Sequence, residues 1–176
     1  MQLFISGLKP IFIIIVQTKN YQMMKNTLLL FVALILTSFS TKLFAQDKEG
    51  DAIVGLWETG TGKARVNIIK SGNYYYGRIV WLREPNNEEG KPKVDKNNPD
   101  ETKRTVALLG LRMLSSFEFK GNNLWEDGTI YDPESGSTYS CTINMTDKNT
   151  MNIRGYIGIS AFGRTDVWKR LELKKK

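Results

Sequence analysis

The chain has 176 residues and a formal net charge of +7, with no His and one Cys. The absence of His excludes Ser-His and Cys-His catalytic pairs and histidine-bearing zinc sites, and a single Cys excludes an internal disulfide. Four lysines and no acids fall in residues 1–45, so the rest of the chain has a net charge of only +3. Such a mild positive charge is weak support for nucleic-acid binding, and we expect no nucleic-acid partner.

The amino-terminal region has the features of an export signal. Met24 and Lys25 precede an apolar run over residues 27–36, and a small residue, Ala45, ends the segment. This pattern is typical of a signal peptide, residues 24–45, that is cleaved after Ala45. The apolar run is well short of the roughly 20 residues that a membrane span needs. We therefore predict an exported protein, periplasmic in a Gram-negative host and otherwise secreted, with no stable membrane span after cleavage.

Residues 1–23 carry a second apolar patch ahead of this segment. We expect them to be an upstream extension that results from a start codon assigned too early, with a signal anchor made from both patches as the alternative. The remaining residues, 46–176, have the size of one ordinary domain.

The domain alternates between short strands and tight turns. Apolar-polar alternation predicts eight strands, over residues 53–59, 63–70, 74–82, 117–120, 129–131, 138–145, 151–157 and 164–173. This spacing is typical of an antiparallel sandwich or barrel. We predict an all-β fold, a single antiparallel eight-stranded barrel of lipocalin-like architecture. Closure would remove the sheet edges and leave an interior able to hold one small ligand.

Two segments depart from the plain alternation of strand and turn. Residues 84–105 are charged and rich in Asn and Pro, and a loop of this length is usually functional or disordered. Residues 106–114 are apolar and equally compatible with a short helix or a buried strand. By contrast, residues 125–139 predict a hairpin, since Asp132-Pro133 favours a turn and Gly136 accepts a positive φ.

Short motifs spread over the whole domain resemble a family of small exported bacterial proteins, the domain of unknown function (DUF) 2147. They are Gly55-Leu56-Trp57, Tyr76-Gly77-Arg78-Ile79-Val80, Asn98-Pro99, Gly110-Leu111, Trp125, Gly128, Ile130-Tyr131-Asp132-Pro133, Gly136, Tyr139, Arg154-Gly155-Tyr156-Ile157-Gly158, Gly163-Arg164 and Trp168-Lys169-Arg170. The resemblance implies a β-barrel and little about activity, because the family is uncharacterised.

The domain is also similar, more loosely, to the lipocalins. Those barrels carry Gly-x-Trp on the first strand and a basic residue near the last strand that packs over the tryptophan. The resemblance implies these structural roles for Gly55, Trp57 and Arg170. A guanidinium stacked on an indole is worth about 0.5 to 2 kcal/mol. We expect no counterpart of the long carboxy-terminal helix of the lipocalins, because few residues follow Arg170.

Two arginines and three tyrosines are candidate ligand contacts: Arg78, Arg154, Tyr76, Tyr139 and Tyr156. Each arginine lies mid-strand beside a glycine, and a buried guanidinium would need an acid or an anionic ligand. If the arginines face outward they are solvated, and tyrosine pairs also stabilise sheets without a ligand. The hypothesis is a non-enzymatic protein that binds a small amphipathic or anionic ligand, with no cofactor and no metal.

Two alternatives remain open. If the barrel interior is filled, the protein would be a structural or protein-interaction module that uses the loop at residues 84–105. Less favoured is a glycan hydrolase that uses two of the acids near the predicted hairpin: Glu126, Asp127, Asp132 and Glu134. Acids at turns are more often solvated. The sequence indicates neither the identity of the ligand nor the oligomeric state.

Overall fold

A computed structural model of the chain describes residues 21, 23–25, 27 and 49–172. The chain divides into two units, Met1–Gln46 and Asp47–Lys176, and the second contains the barrel. The predicted extension and signal peptide lie almost wholly outside the described residues. No helical segment in the described part of the chain is long and apolar enough to cross a membrane.

Eight antiparallel strands form a closed barrel in which each strand pairs with the next and the last pairs with the first. The strands are β1 (Gly55–Glu58), β2 (Ala64–Ser71), β3 (Tyr74–Leu82), β4 (Arg112–Gly121), β5 (Leu124–Asp132), β6 (Ser137–Asp147), β7 (Thr150–Tyr156) and β8 (Arg164–Arg170). Short 3₁₀ helices occupy Asp51–Ile53, Glu101–Lys103 and Ser160–Phe162. The predicted all-β, eight-stranded barrel is confirmed.

Alternating side chains and turn residues account for most of this architecture. Along β2, Ala64, Val66 and Ile68 are buried, whereas the residues between them face outward. The predicted hairpin is present between β5 and β6. Its Gly136 has φ 71°, and its N–H donates to the Asp132 carbonyl oxygen over 2.8 Å. A positive φ of this kind favours glycine, which fixes the turn at this position.

Bulges shift the alternation at places that a strict period of two does not predict. The pattern in β3 places Trp81 on the inner face with Tyr75 and Ile79. A register shift opposite Arg65 instead turns Trp81 to the outer face, where the Arg65 guanidinium carbon lies 4.2 Å from its ring centroid. In β4, Ser116 has φ 59°. The extra residue at this bulge lets Leu114 and Phe117 both face inward although they are three positions apart.

The ambiguous segment at residues 106–114 is neither a helix nor wholly a strand. Its first part belongs to the connection 83–111, which makes an isolated bridge between Val94 and Ala107. The strand begins only at Arg112. Hydrogen bonds exchanged between Ile79 and the loop explain the late start, since the Ile79 N–H donates to Leu111 and the Ile79 carbonyl accepts from Gly110.

Large side chains fill most of the interior of the barrel. Those that are at most 2 % exposed are Ile53, Trp57, Val66, Ile68, Tyr75, Ile79, Leu114, Phe117, Trp125, Cys141, Ile143, Met151, Ile153 and Trp168. Surfaces this inaccessible leave no room for a water-sized void beside them. Cys141 packs among them as a small apolar residue, and burial raises the pKa of its thiol to about 12.

Candidate functional site

The two ends of the barrel differ in their connections. At one end, here the open end, the connections are residues 59–63, 83–111, 133–136 and 157–163. The opposite, closed end carries the 3₁₀ helix Asp51–Ile53 and the two-residue turns 72–73, 122–123 and 148–149. The indole N–H groups of Trp57 and Trp125 donate to the carbonyl oxygens of Ile53 and Gly50, so these two side chains fill the interior near the closed end.

Inward-facing residues nearest the open end are only partly buried, and we call this set the mouth: Leu82, Met113, Ile130, Tyr139, Gly155 and Asp166. They face a common space. A Cβ added at Gly155 would lie 3.3 Å from Ile130 Cγ2 and 3.7 Å from Tyr139 Cβ. Leu82, Met113 and Ile130 also pack against the buried core. The mouth is therefore an apolar layer above a filled interior.

Two polar groups interrupt this apolar layer. One oxygen of Asp166, Oδ2, accepts from the Trp168 indole N–H over 2.8 Å and from the Gly60 backbone N–H over 3.1 Å. Within the described residues, the second oxygen of Asp166 and the Tyr139 hydroxyl have no hydrogen-bond partner. A carboxylate oxygen accepts hydrogen bonds, and a phenol can donate or accept. The mouth thus offers the Tyr139 hydroxyl and, beside Gly60, one carboxylate oxygen of Asp166, set in an apolar surface.

The two arginines predicted as ligand contacts do not lie in the interior. Arg78 is exposed on the outer face of β3, where Nη1 donates to the Gly110 carbonyl oxygen over 3.0 Å. Arg154 lies on the outer face of β7 and donates to Ser160, Ala161 and Thr165. The alternation explains the placement, since the glycine beside each arginine takes the inward position. These arginines form no interior anion site.

Of the three predicted tyrosines, only Tyr139 faces the mouth. Tyr76 lies on the outer face, and the Arg112 guanidinium carbon lies 4.8 Å from its ring centroid. Tyr156 alternates with the inward residues Ile153 and Gly155 and therefore also faces outward. The side chain that the sequence does not single out is Asp166, whose inward position depends on the pairing of β8 with β7.

Arg170 lies over Trp57 at the closed end, with its guanidinium carbon 4.2 Å from the ring centroid. It donates through Nε to the Lys148 carbonyl oxygen over 2.7 Å, through Nη1 to Val54 over 2.9 Å and through Nη2 to Ala52. The backbone at Gly55 has φ 131°, and a Cβ there would lie 2.9 Å from Arg170 Nη1. This closeness explains why a glycine, a tryptophan and an arginine occur together, and the role of the three is structural.

An open cleft of about 490 Å³ lies beside Arg170 at the closed end. It is lined by Ala52, Asn123, Met145, Asp147, Lys148, Asn149 and Arg170. Its strongest donor, the Arg170 guanidinium, is already bonded to three backbone carbonyls, and Asp147 accepts from the Asn149 N–H over 2.8 Å. The cleft is less suited than the mouth to hold a ligand through free polar groups.

The acids considered for hydrolysis lie apart. Asp127 forms an ion pair of 2.6 Å with Lys120, and Glu134 forms one of 2.7 Å with Lys63. Asp132 accepts from the backbone N–H of Glu134 over 2.9 Å. Since a strand rises about 3.3 Å per residue, Asp127 and Asp132 are roughly 16 Å apart along β5. Asp127 is therefore too far from Asp132 for the two to act as a glycosidase pair, and Glu126 instead pairs in register with Glu118 of β4.

The long connection is anchored by a buried carboxylate that sequence reasoning overlooked. Asp95 is 0 % exposed, and its two oxygens accept from the Tyr131 hydroxyl over 2.8 Å and from Asn98 Nδ2 over 2.7 Å. Beside it, Asn97 Nδ2 donates to the Glu134 carbonyl oxygen over 2.7 Å. These bonds attach the loop to the β5–β6 turn. The Asp-x-x-Asn-Pro order is the available sequence signal, because Asp and Asn favour such local turns.

Replacement of Tyr131 by phenylalanine is expected to lower the free energy of unfolding by about 2 kcal/mol, because a buried carboxylate loses a donor. Burial and the bond to Asp95 raise the pKa of Tyr131 to about 12, above its ordinary value of 10.0. The stabilisation that the Tyr131 hydroxyl provides is therefore complete below pH 10 and is lost as the pH rises from 10 to 12. Urea unfolding at pH 7 and at pH 11 measures both effects.

The control for this substitution is Tyr74→Phe on the exposed outer wall, which should leave stability unchanged. In the Tyr131→Phe variant, the amide of Asp95 should also exchange its hydrogen faster, since its bond to the Val106 carbonyl oxygen belongs to the loop. An equal difference between variant and parent at both pH values would contradict the assignment of Tyr131.

A solved structure with the same architecture is that of protein HP1028 from the human pathogen Helicobacter pylori, which is described as belonging to the lipocalin family. The two chains are 21 % identical, with a TM-score of 0.60, and the match covers 68 % of this chain and 83 % of that one. At this identity the likeness shows the fold. No curated protein matches the chain.

The model of a protein family, described as "Uncharacterized protein conserved in bacteria (DUF2147)", matches residues 55–170. The match begins at the Gly55 of β1 and ends at Arg170 of β8, so it spans every strand of the barrel. The matched region includes Gly55, Trp57 and Arg170, as well as the residues of the mouth. The chain therefore belongs to the DUF2147 family, and its fold is a lipocalin-like barrel.

Proposed function

We propose that the protein binds a small amphipathic molecule at the mouth. The observation that carries the proposal is the abrupt change in burial along the barrel axis. Most inward side chains below the mouth are at most 2 % exposed, whereas the mouth residues are partly exposed. Within the described residues, the Tyr139 hydroxyl and one oxygen of Asp166 have no hydrogen-bond partner. Binding sites are commonly concave, apolar and supplied with a few directed polar groups.

The polar groups indicate which part of the ligand would be recognised. Asp166 offers a carboxylate oxygen and Tyr139 a hydroxyl, so a ligand with a hydroxyl or amino donor fits better than an anion. The apolar part of the ligand would pack against Leu82, Met113 and Ile130. Because Trp168 and its neighbours close the interior, the ligand would enter only part of the barrel and keep one end near solvent.

We propose that this role is non-enzymatic and is carried out after export. The ion pairs and turn bonds that hold the hairpin acids support a binding role over hydrolysis. The features of residues 24–45 support export, and the periplasm or the surrounding medium would follow from the host's envelope.

Native mass spectrometry of the protein purified from cells that produce it tests the binding proposal. A bound small molecule should be released on denaturation of the parent. Gly155→Leu should lose it, because a side chain at this position enters the space between Ile130 and Tyr139. Tyr139→Phe should weaken binding roughly fivefold through the loss of one hydrogen bond. The outward-facing Tyr156→Phe is the matched control and should bind as the parent does.

Retention of the molecule by a folded Gly155→Leu variant would place the ligand elsewhere and refute the proposal. If the parent carries no molecule and binds none from an envelope lipid extract, the interaction module becomes the better hypothesis. The filled lower interior is the observation that favours this second candidate. Its partner surface would then include the loop at residues 84–105, which Asp95 and Asn97 hold in one conformation.

A further inference from the structure

Three large apolar side chains project from the β7–β8 connection at the open end. Ile157 is 77 % exposed, Ile159 is 61 % exposed and Phe162 is 83 % exposed. They lie within seven residues, 157–163, that include no charged side chain. Scattered single apolar residues on a surface are ordinary, but a cluster of this size on one loop usually marks an interaction site.

The structure holds this loop in place rather than burying its apolar residues. Arg154 donates through Nε to the Ser160 carbonyl oxygen over 2.8 Å and through Nη2 to the Ala161 carbonyl oxygen over 3.0 Å. Its Nη1 donates to Thr165 Oγ1 over 2.9 Å, beyond the other end of the loop. One guanidinium thus joins both sides of the connection. The exposed side chains are presented on a supported loop, which lowers the conformational entropy lost on binding.

Within the described residues, the opposite end of the barrel carries no loop with several apolar side chains this exposed. Its two-residue turns consist only of glycine and polar residues: Gly72, Asn73, Asn122, Asn123, Lys148 and Asn149. At the open end the long connection adds three more exposed apolar residues, Val94 at 38 %, Val106 at 45 % and Leu109 at 55 %. Among the described residues of the barrel, every large apolar side chain that is more than half exposed therefore lies at the open end, an asymmetry that suits the boundary between water and an apolar phase.

The charged residues beside the β7–β8 loop indicate which kind of apolar surface it would bind. The residues that flank the loop, Arg154 and Arg164, are both cationic, and neither forms an ion pair with a carboxylate in the described part of the chain. Tyr156 precedes the loop on the outer face. Aliphatic side chains, an aromatic residue and arginines around an acid-free stretch match the interface of a bilayer with anionic headgroups.

We propose that the open end docks on an anionic phospholipid surface through Ile157, Ile159 and Phe162. The docked loop would place the three apolar side chains among the acyl chains close to the headgroups, and Arg164 would contact lipid phosphates. The inference goes beyond the proposed function, because docking requires no ligand in the mouth.

Flotation with vesicles of phosphatidylglycerol and phosphatidylcholine tests the proposal on protein purified from cells that produce it, so that every variant has the same amino terminus. The combined variant Ile157→Ser/Ile159→Ser/Phe162→Ser should partition about a hundredfold more weakly, since partial burial of each side chain is worth roughly fivefold. Arg164→Gln should weaken binding to the anionic vesicles about fivefold, and it should leave binding to vesicles of phosphatidylcholine alone unchanged.

The matched control removes three apolar side chains from the barrel wall instead: Ile69→Ser, Tyr74→Ser and Val80→Ser, which are 41 to 46 % exposed in the parent. This variant should float as the parent does. Equal losses in the two triple variants, or no vesicle binding by the parent, would overturn the proposal. So would a parent dimer that the loop variant converts to a monomer in sedimentation velocity, because the loop would then bind a second copy.

Discussion

Replacement of Arg170 by methionine is expected to lower the free energy of unfolding by about 3 kcal/mol, through the loss of charged hydrogen bonds and of the stacking on Trp57. The guanidinium bonds carbonyl oxygens of Ala52, Val54 and Lys148, and so ties the residues before β1 and the β6–β7 turn to β8. Burial lowers the pKa of Arg170 but leaves it cationic at neutral pH. Urea unfolding should show an earlier midpoint with an unchanged slope.

Two variants separate the roles of charge and geometry. Arg170→Lys keeps the positive charge but cannot reach three carbonyls with a planar fork, so most of the loss should remain. Lys169→Met removes the neighbouring cation, which bonds only to the Thr150 hydroxyl, and should change stability by less than about 0.5 kcal/mol. A stability equal to the parent's in Arg170→Lys would show that charge alone matters.

Gly128→Ala is expected to cost about 3 kcal/mol, the upper part of the range for overpacking a core. A Cβ at this position would lie 2.4 Å from Phe117 Cγ, and Phe117 is 1 % exposed. The ring cannot move away, because buried neighbours surround it. The preceding residue, Asp127, has φ 60°, so the strand is already bulged at this point and cannot shift freely. Thermal unfolding and denaturant titration measure the cost.

Two further variants test whether the contact with Phe117 causes the loss of stability in Gly128→Ala. Gly155→Ala adds the same methyl group on β7, where the nearest atoms would be Ile130 Cγ2 at 3.3 Å and Tyr139 Cβ at 3.7 Å. Because a small shift of these partly exposed side chains relieves the contact, the stability should fall far less than in Gly128→Ala. In a Phe117→Leu background, Gly128→Ala should cost less than in the parent, since the smaller side chain leaves room. Strictly additive costs would refute steric conflict as the cause.

Much of the fold follows from local sequence features. Ala64, Val66 and Ile68 fix the inner face of β2, and Gly136 after Asp132-Pro133 fixes the central hairpin. These features act within a few residues, which is why they can be read from the chain alone. The bulges cannot be read in this way. Trp81 turns outward because of how β3 pairs with β2, and that pairing depends on residues far away in sequence.

The mouth was harder to predict for the same reason. The orientations of Arg78 and Arg154 follow from the inward position of the adjacent glycines, and a glycine carries no signal of its own about which face it occupies. Asp166 faces inward with Trp168, two residues later in β8, but an acid is not expected on an inward face and was therefore not singled out. Tyr139 could be assigned more directly, since it continues an alternating series through Cys141 and Ile143 in β6.

The closure of the barrel is carried by very few residues. Within the described residues, strands β1 and β8 pair through Trp57 with Arg170 and Glu58 with Lys169, and the Leu171 N–H donates to the Leu56 carbonyl oxygen over 2.8 Å. Every other neighbouring pair of strands is joined by a connection in the chain. This seam brings together segments more than a hundred residues apart, so we expect its closure to have the largest entropic cost and to come late in folding. Contacts that form after the transition state govern the rate of unfolding rather than that of folding. The lifetime of the closed barrel therefore depends on the seam that Trp57 and Arg170 hold together.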